Sequence, residues 1–360
     1  MLVLNSDHVK SVLTMKDCME ALEDAYRENA LGRAVNHRRT HLHMTVSKPD
    51  RLYRFKTMPG GIEKLGILAI RLNSDMMTWP VIDGKRRQVK VPAAPGNRFV
   101  GQILLYNAED IRLLAILSEG AIQLYRVGGT GGVSTKYMAR KDAAVVGLFG
   151  SGQQARTQVL AHCQARNIKL VKVFSPNPDH RRRFAEQMRE ETNVEIQPVS
   201  SPEECAKGAD ILAVATDSRE PVLKAEWLKP GMHVTGVGNE LDAEGRKKVH
   251  VYAQRDRRIH GFENCWTEGS KERMAERWPG YERVYGQEIR EGLADFPEIG
   301  EIILGKTPGR ESDEQITYFH TDVGLGIEFA AVGARVMALA KDRGLGMDVP
   351  DDWFSQVEHT

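Results

Sequence analysis

The residues with chemical prospects in this 360-residue chain are several cations and one carboxylate, set among apolar or glycine-rich neighbours. Lys56 lies in YRFKTM; on a strand facing a cleft it can hold a carboxylate or move a proton. The plainer role for a strand lysine is a solvated one. Arg71 interrupts the apolar run AIRLNS and competes with Lys56 as a carboxylate clamp. Arg38 and Arg39 point to opposite faces of an extended segment, so only one of them joins the set. Arg126 stands in YRVGGTGG, where a bidentate guanidinium would orient an α-carboxylate. Glu240 follows GVGN and is the candidate general acid or base, provided that a cleft raises its pKa. Its plainer role is a helix cap or a salt bridge, and Asp242 competes with it. His233 lies inside an apolar run and reads as structural, whereas His320 ends ITYFH, nearer a crevice. No HExxH spacing or carboxylate cluster marks a metal site, so none is expected.

Hydride chemistry is the natural partner of such a set, because Ala143–Ala155 reads AAVVGLFGSGQQA. This is an apolar strand followed by a phosphate-binding turn. Gly150 allows the turn, Gly152 lets the backbone approach a pyrophosphate, and Ala155 lets the next helix pack closely. Gly150, Ser151, Gly152, Gln153 and Gln154 would then cradle the phosphates at the helix N-terminus. Thr216, Val237 and Gly238 lie beyond the ends of later strands and complete the expected cofactor contacts. An NAD-type site carries an acid about 20 residues after the glycine turn. Here that region holds Ser175 and Asn177, followed by Arg181. Without an acid there is no repulsion against a 2′-phosphate, and Arg181 can pair with it, so NADP is favoured over NAD. The plainer role of Arg181–Arg183 is a solvated helix start.

The elements that must position these groups fall into two kinds. Up to residue 118 the chain reads as a mixed α+β domain. It has a helix capped by Thr14, hairpins over His41–Met58 and Gly101–Leu117, and a long excursion over Pro80–Gly101. Residues 119–141 form a transition in which Gly128, Gly129, Gly131 and Gly132 weaken the helical pattern. They suit either a flexible connection or a close approach to a ligand or another subunit. From Ala143 the pattern becomes βαβ: strands at Leu170–Phe174, Glu195–Val199, Asp210–Thr216 and Gly231–Gly238 alternate with helices. Ser201-Pro-Glu-Glu is a helix start. The charged stretch 254–292, with Trp266, Trp278 and Tyr281, reads by default as a surface helical insertion. A small-residue helix at Leu325–Ala340 is expected to return to the first domain.

These segments together resemble the ornithine cyclodeaminase/μ-crystallin family. The resemblance covers most of the chain, through YRFKTMPGG, LYRVGGTGGVSTKYMAR, VGLFGSGQQARTQV, HVTGVGNELD and ITYFHTDVGLGIEFAAVGARVMALA. It implies an α/β fold with a Rossmann dinucleotide-binding domain (131–324) inserted into an α+β substrate-binding and dimerisation domain (1–130, completed by 325–360). It also implies a homodimer that transfers hydride at the α-carbon of a small amino acid or imino acid, using NAD or NADP. Carried over, Arg126 matches the family arginine near substrate and nicotinamide, and Arg39 is the better match for the N-terminal carboxylate arginine. Lys56 matches the family lysine in one alignment, whereas the MPGG landmark puts that lysine near Arg71. Glu240 and Glu328 stand where aspartates are usual. The long excursions at 76–100 and 254–292 set this chain apart and weigh against ornithine as the substrate.

Charge and composition narrow the alternatives. With 50 basic and 49 acidic residues, nothing calls for nucleic acid or an anionic membrane as partner. No apolar run is long enough to span a bilayer, and the N-terminus lacks a secretory pattern. Four widely spaced cysteines suit a reduced, cytoplasmic protein. Three functions stay open: an amino-acid dehydrogenase or imine reductase, a cyclodeaminase that eliminates ammonia and recycles its cofactor, and a dinucleotide-binding accessory protein without turnover.

Overall fold

The structure is a computed structural model that describes residues 1–82, 84–218, 220–237, 240–259, 262–277, 296–321 and 324–357. Its first sheet is mixed, with strands in the order Phe262–Trp266, Arg39–Thr45, Leu52–Ile62, Ile67–Thr78, Val100–Asn107, Leu113–Ser118, Leu2–Leu4 and Met347–Asp348. The expected hairpins are present, pairing Arg39–Thr45 with Leu52–Ile62 and Val100–Asn107 with Leu113–Ser118. Helices Met15–Ala30 and Gly326–Asp342 cover one face of this sheet. There Met58, Ala69, Ile103 and Leu105 share a core with Leu22, Phe329, Val332 and Val336. The C-terminal helix thus returns to the first domain, as its small residues suggested.

The second sheet has seven parallel strands ordered Glu195–Pro198, Leu170–Phe174, Val145–Phe149, Ile211–Ala215, His233–Val237, Thr317–Phe319 and Val251–Ala253. Strand order reverses between Val145–Phe149 and Ile211–Ala215, which opens a crevice beyond their carboxyl ends. Such sheets are buried on both faces, and Ile211, Leu212, Ala213 and Val214 are all fully buried.

Several expectations need correction. Residues 119–138 form one unbroken helix rather than a loose transition. Its glycines are required by contact: a Cβ at Gly128 would stand 2.5 Å from the Thr157 carbonyl oxygen, and one at Gly132 2.7 Å from Met19 Sδ. Helix Gln153–Ala165 therefore lies against Glu119–Met138 almost backbone to backbone. Helix packing accounts for these glycines, and the segment is helical rather than a flexible connection. This helix also runs straight through the division expected at 130/131. Within the charged stretch, Phe262–Trp266 is a strand that joins the first sheet, parallel to Arg39–Thr45, and only Ser270–Arg277 of the described part is helical. The segment 131–324 thus contributes to both sheets, while Trp278 and Tyr281 lie outside the described residues. Among the described residues no helix is long and apolar enough to cross a membrane.

Candidate active site

The glycine turn has the shape that its sequence called for. Gly150 adopts φ +117°, and its N–H donates to the Phe174 carbonyl over 2.8 Å. A side chain there would strike the Ala215 carbonyl. At Gly152 a Cβ would meet nothing within 4 Å, so the space in front of this backbone is open. Gly152 caps helix Gln153–Ala165 without a side chain, which leaves the N–H groups of the first turn aimed outward. Gln154 Oε1 is buried with no protein partner among the described residues. Open space and unpaired N–H groups fit a bound dinucleotide diphosphate, while the Gln154 oxygen, an acceptor, suits a donor such as a ribose hydroxyl.

Around that turn, Ser151 Oγ donates to Ser175 Oγ over 3.0 Å. Arg181 donates to the Ser175 carbonyl over 2.8 Å and lies over the Phe174 ring. Asn177 caps helix Pro178–Thr192, accepting from the N–H groups of Asp179 and His180, which accounts for it structurally. Asp179 is engaged by Arg182. Thr216 and Val237 follow and end their strands, Thr216 Oγ1 accepting from the Ser218 N–H. Gly238 lies outside the described residues.

The candidate cations sit on the first sheet in ranks fixed by register. Thr40 pairs with Thr57, Met58 with Arg71, and Arg71 with Ile103. Arg39 therefore falls in the rank Arg39, Met58, Arg71, Ile103, with one arginine on each side of Met58. The next rank, two residues along, is His41, Lys56, Asn73 and Gly101; beyond it come His43, Arg54 and Asp75. All three ranks face the same way. In Ile67–Thr78 the usual polarity is inverted: Arg71, Asn73 and Asp75 are buried, while Leu68 is 41% exposed.

Each cation has a protein partner. Arg71 makes a bidentate pair with Glu119, at 2.7 and 3.0 Å, and Asn73 Nδ2 donates to the same carboxylate. Lys56 pairs with Asp75, which also meets Lys90 at 2.9 Å and Arg54 at 3.7 Å. Burial, Arg54, Arg39 and Lys90 push Lys56 well below the ordinary lysine range despite Asp75. Burial opposes ionisation of Asp75, but Lys56 and Lys90 hold its pKa down to about 2. Arg126, on helix Glu119–Met138, pairs with the buried Glu328 at 3.0 Å. Glu328 also meets Arg255 at 3.2 Å and accepts from Tyr26. The guanidiniums of Arg71 and Arg126 both lie over the Phe329 ring, 5.5 and 5.3 Å from its centroid.

Arg39 donates to His41 Nε2 over 2.7 Å. Burial, then Arg71, Arg54 and Arg126, lower its pKa to about 9, although it stays a guanidinium at neutral pH. His41 is pushed far below the usual histidine range, first by burial and then by Arg39, so the ring is neutral. This concentration of positive charge would be relieved by an anion.

Glu240 is buried at the carboxyl end of the second sheet, beyond strand His233–Val237. Tyr318 donates to its Oε2 over 3.0 Å, and Tyr318 lies 3.1 Å from His320 Nδ1. Glu240 Oε1 is buried without a partner among the described residues. Burial raises its pKa to about 7, against smaller opposing effects of Tyr318 and Arg246. It is not a helix cap; Asp242 caps Ala243–Lys247 by accepting from the Gly245 N–H, which removes the competing carboxylate. His233 is structural, held by Ser134 and Thr317.

The structure thus brings Arg39, Arg71 and Arg126 together and turns Lys56 one rank away into the Asp75 cluster. A short link ties this group to Glu240. His320 contacts Tyr318, while Gly324 lies against Arg126, where a Cβ would stand 2.5 Å from the guanidinium. Four peptide steps of about 3.8 Å keep those two Cα positions within about 15 Å. Sequence reasoning missed Asp75, Asn73, Glu119 and Tyr318. The first two carried a signal, since Arg71, Asn73 and Asp75 are polar at spacing two inside an apolar strand.

Comparison with known proteins agrees with this architecture. The profile of the ornithine cyclodeaminase/mu-crystallin family matches residues 1–343. An alanine dehydrogenase of Archaeoglobus fulgidus is 28% identical over 97% of this chain and 98% of its own. The structure of Thermococcus litoralis Δ1-pyrroline-2-carboxylate reductase in complex with NADH and L-proline superposes with a TM-score of 0.76 at 30% identity, covering 97% of this chain and 100% of the other. An archaeal alanine dehydrogenase dimer with bound NAD gives a TM-score of 0.71 at 26% identity, covering 97% and 99%.

Proposed function

This chain belongs to the ornithine cyclodeaminase/mu-crystallin family, and from that premise we propose that it is an NAD(P)-dependent enzyme that moves a hydride at the α-carbon of a small amino or imino acid. The observation that carries the proposal is the cation rank Arg39–Met58–Arg71, joined by Arg126 over Phe329, together with a buried Glu240 whose pKa is about 7. Arg39 and Arg71 hold the substrate carboxylate over Met58, and Arg126 supports it from the helix above. Glu119 keeps Arg71 extended and planar for that contact. Lys56 stabilises the rank through Asp75 rather than reaching the carboxylate.

When bound, the nicotinamide supplies or accepts the hydride. Gly150, Ser151, Gly152, Gln153 and Gln154 hold the dinucleotide diphosphate, with Thr216 and Val237 beside it. Glu240 manages the proton on the substrate nitrogen through Oε1, the oxygen that no group among the described residues occupies. A pKa near 7 lets it donate for imine reduction and accept for amine oxidation at neutral pH. The ribose pocket favours NADP: Ser175 and Arg181 line it, and Asp179, the nearby acid, is turned to Arg182.

The inverted strand suits a homodimer. Leu42, Met44, Leu68 and Val100 are exposed on the first sheet because the inner face carries the charged ranks. A second copy covering that outer face would bury them. Light scattering giving twice the chain mass supports this assembly; a monomer refutes it.

The function is tested with purified protein, L-alanine, L-proline, L-ornithine and Δ1-pyrroline-2-carboxylate, each with NAD(H) and NADP(H), following reduced-nicotinamide absorbance and ammonia together. A net absorbance change supports the dehydrogenase or reductase. Ammonia and proline from ornithine without net absorbance change identify a cyclodeaminase instead. Dinucleotide binding without turnover on any of these leaves an accessory role and overturns the proposal.

A further inference from the structure

One buried group of the second sheet has so far been given no role: the chain of polar atoms behind Glu240. Tyr318 and His320 alternate on and just after strand Thr317–Phe319 and are 4% and 7% exposed. Tyr318 sits among Leu223, Leu241 and Ile316, and the Tyr252 ring meets it edge-on at 5.5 Å. A hydroxyl has no reason to stand in that apolar cluster unless its hydrogen bonds are made there. It makes two, one to Glu240 and one to His320.

We propose that Tyr318 is a positioning residue for Glu240, and that His320 fixes the direction of its hydrogen bond. His320 Nδ1–H donates to the Tyr318 oxygen, and the Tyr318 hydroxyl donates to Glu240 Oε2. A hydroxyl carries one proton, so a donor at His320 commits it to Glu240. Oε2 is then occupied in both protonation states, and the exchangeable proton resides on Oε1, the oxygen left for substrate. The arrangement decides which oxygen of Glu240 is the acid and how readily it ionises. Arg246, on Ala243–Lys247, and Tyr252 also act electrostatically on this pair.

This inference rests on Glu240 being the acid or base, yet its test does not need turnover. Protein labelled with [5-13C]glutamate is titrated by NMR without substrate, and the Glu240 signal is assigned by its loss in Glu240→Gln. Tyr318→Phe is expected to raise the Glu240 midpoint by about one to two pH units, the worth of a hydrogen bond to a carboxylate. His320→Ala should raise it by less, whereas His320→Asn, which keeps a donor near the Nδ1 position, should leave it in place. In an active enzyme the same shifts appear in the pH profile of kcat/KM, which a merely structural tyrosine would not move. An unchanged midpoint in Tyr318→Phe overturns the inference. If that variant does not fold, equal midpoints in wild type and His320→Ala overturn it. Absence of turnover would sink the functional proposal alone.

Discussion

Replacing Glu240 by glutamine should make the protein more stable, by an amount that grows from about pH 4.5, where the unfolded chain's carboxyl ionises, to about pH 7. Burial lifts this carboxyl from 4.5 to about 7. The folded state therefore holds a proton that the unfolded chain releases, and stability falls as pH rises from 4.5 through 7. Below about 4.5 both states are protonated and the group costs nothing. Above 7 the folded protein carries a buried carboxylate, one oxygen of which has no partner among the described residues, and the penalty levels off. At about 1.4 kcal/mol per pH unit, a shift of this size is worth ~3 kcal/mol. For cooperative unfolding of a chain this long, at about 2.1 cal/mol/K per residue, that corresponds to a Tm change of about 4 °C. Glutamine keeps the shape and still accepts from Tyr318, but it cannot ionise. Thermal unfolding of wild type and Glu240→Gln without cofactor at pH 5 and pH 8.5 measures the effect. The variant's Tm advantage should be greater at pH 8.5 by about 3 °C, because at pH 5 the unfolded chain has already begun to ionise. An equal difference at the two pH values would refute a raised Glu240 pKa, and with it the acid–base role. The reaction should follow the same ionisation: imine reduction declines as pH rises through 7, while amine oxidation rises.

Three further outcomes follow from the geometry. Arg71→Met should cost ~3–5 kcal/mol in denaturant unfolding because it strands the buried Glu119 carboxylate, and the double variant Arg71→Met/Glu119→Met should recover most of that. Both variants should nevertheless show a KM for the amino acid raised at least about tenfold, the equivalent of losing one charge-assisted contact. Gly152→Ala should stay within about 1 kcal/mol of wild type yet weaken dinucleotide binding by calorimetry, whereas Gly128→Ala, driven into the Thr157 carbonyl, should lose ~1–3 kcal/mol. Arg181→Ala should raise the KM for NADPH more than that for NADH; equal changes would refute its part in choosing the cofactor.

The dinucleotide half was legible because its strands are short apolar runs, such as Ile211–Ala215, bounded by turn residues and clear helix starts such as Ser201-Pro202. Local chemistry and tertiary packing agree there. At residues 119–138 they conflict: intrinsic propensity penalises Gly128, Gly129, Gly131 and Gly132, while packing against Gln153–Ala165 leaves no room for any side chain at Gly128. Packing prevails, and a single sequence does not display that. The site was half legible. Its arginines announce themselves in apolar runs, but the partners that hold them come from distant segments, Glu119 for Arg71 and Glu328 for Arg126. Strand Ile67–Thr78 also turns its charged residues inward, against the usual rule that apolar side chains go inside.

The glycine-faced helix makes the protein a caliper of fixed gauge. Arg126 stands two residues, about 3 Å along the axis, before Gly128. Thr157, against which Gly128 rests, is about 6 Å along its helix from Gln153 at the phosphate turn. Because the two helices touch through backbone, the spacing between the Arg126 backbone and the phosphate turn is fixed by the fold. On the proposed reading, a substrate gripped by its carboxylate and a dinucleotide gripped by its diphosphate therefore meet with the substrate α-carbon at one height. On that reading side chains of different length are expected to be accommodated sideways, and a β-amino acid, with one more methylene between carboxylate and amine, to arrive out of gauge. Discrimination of this kind is set when the chain folds, before either ligand binds.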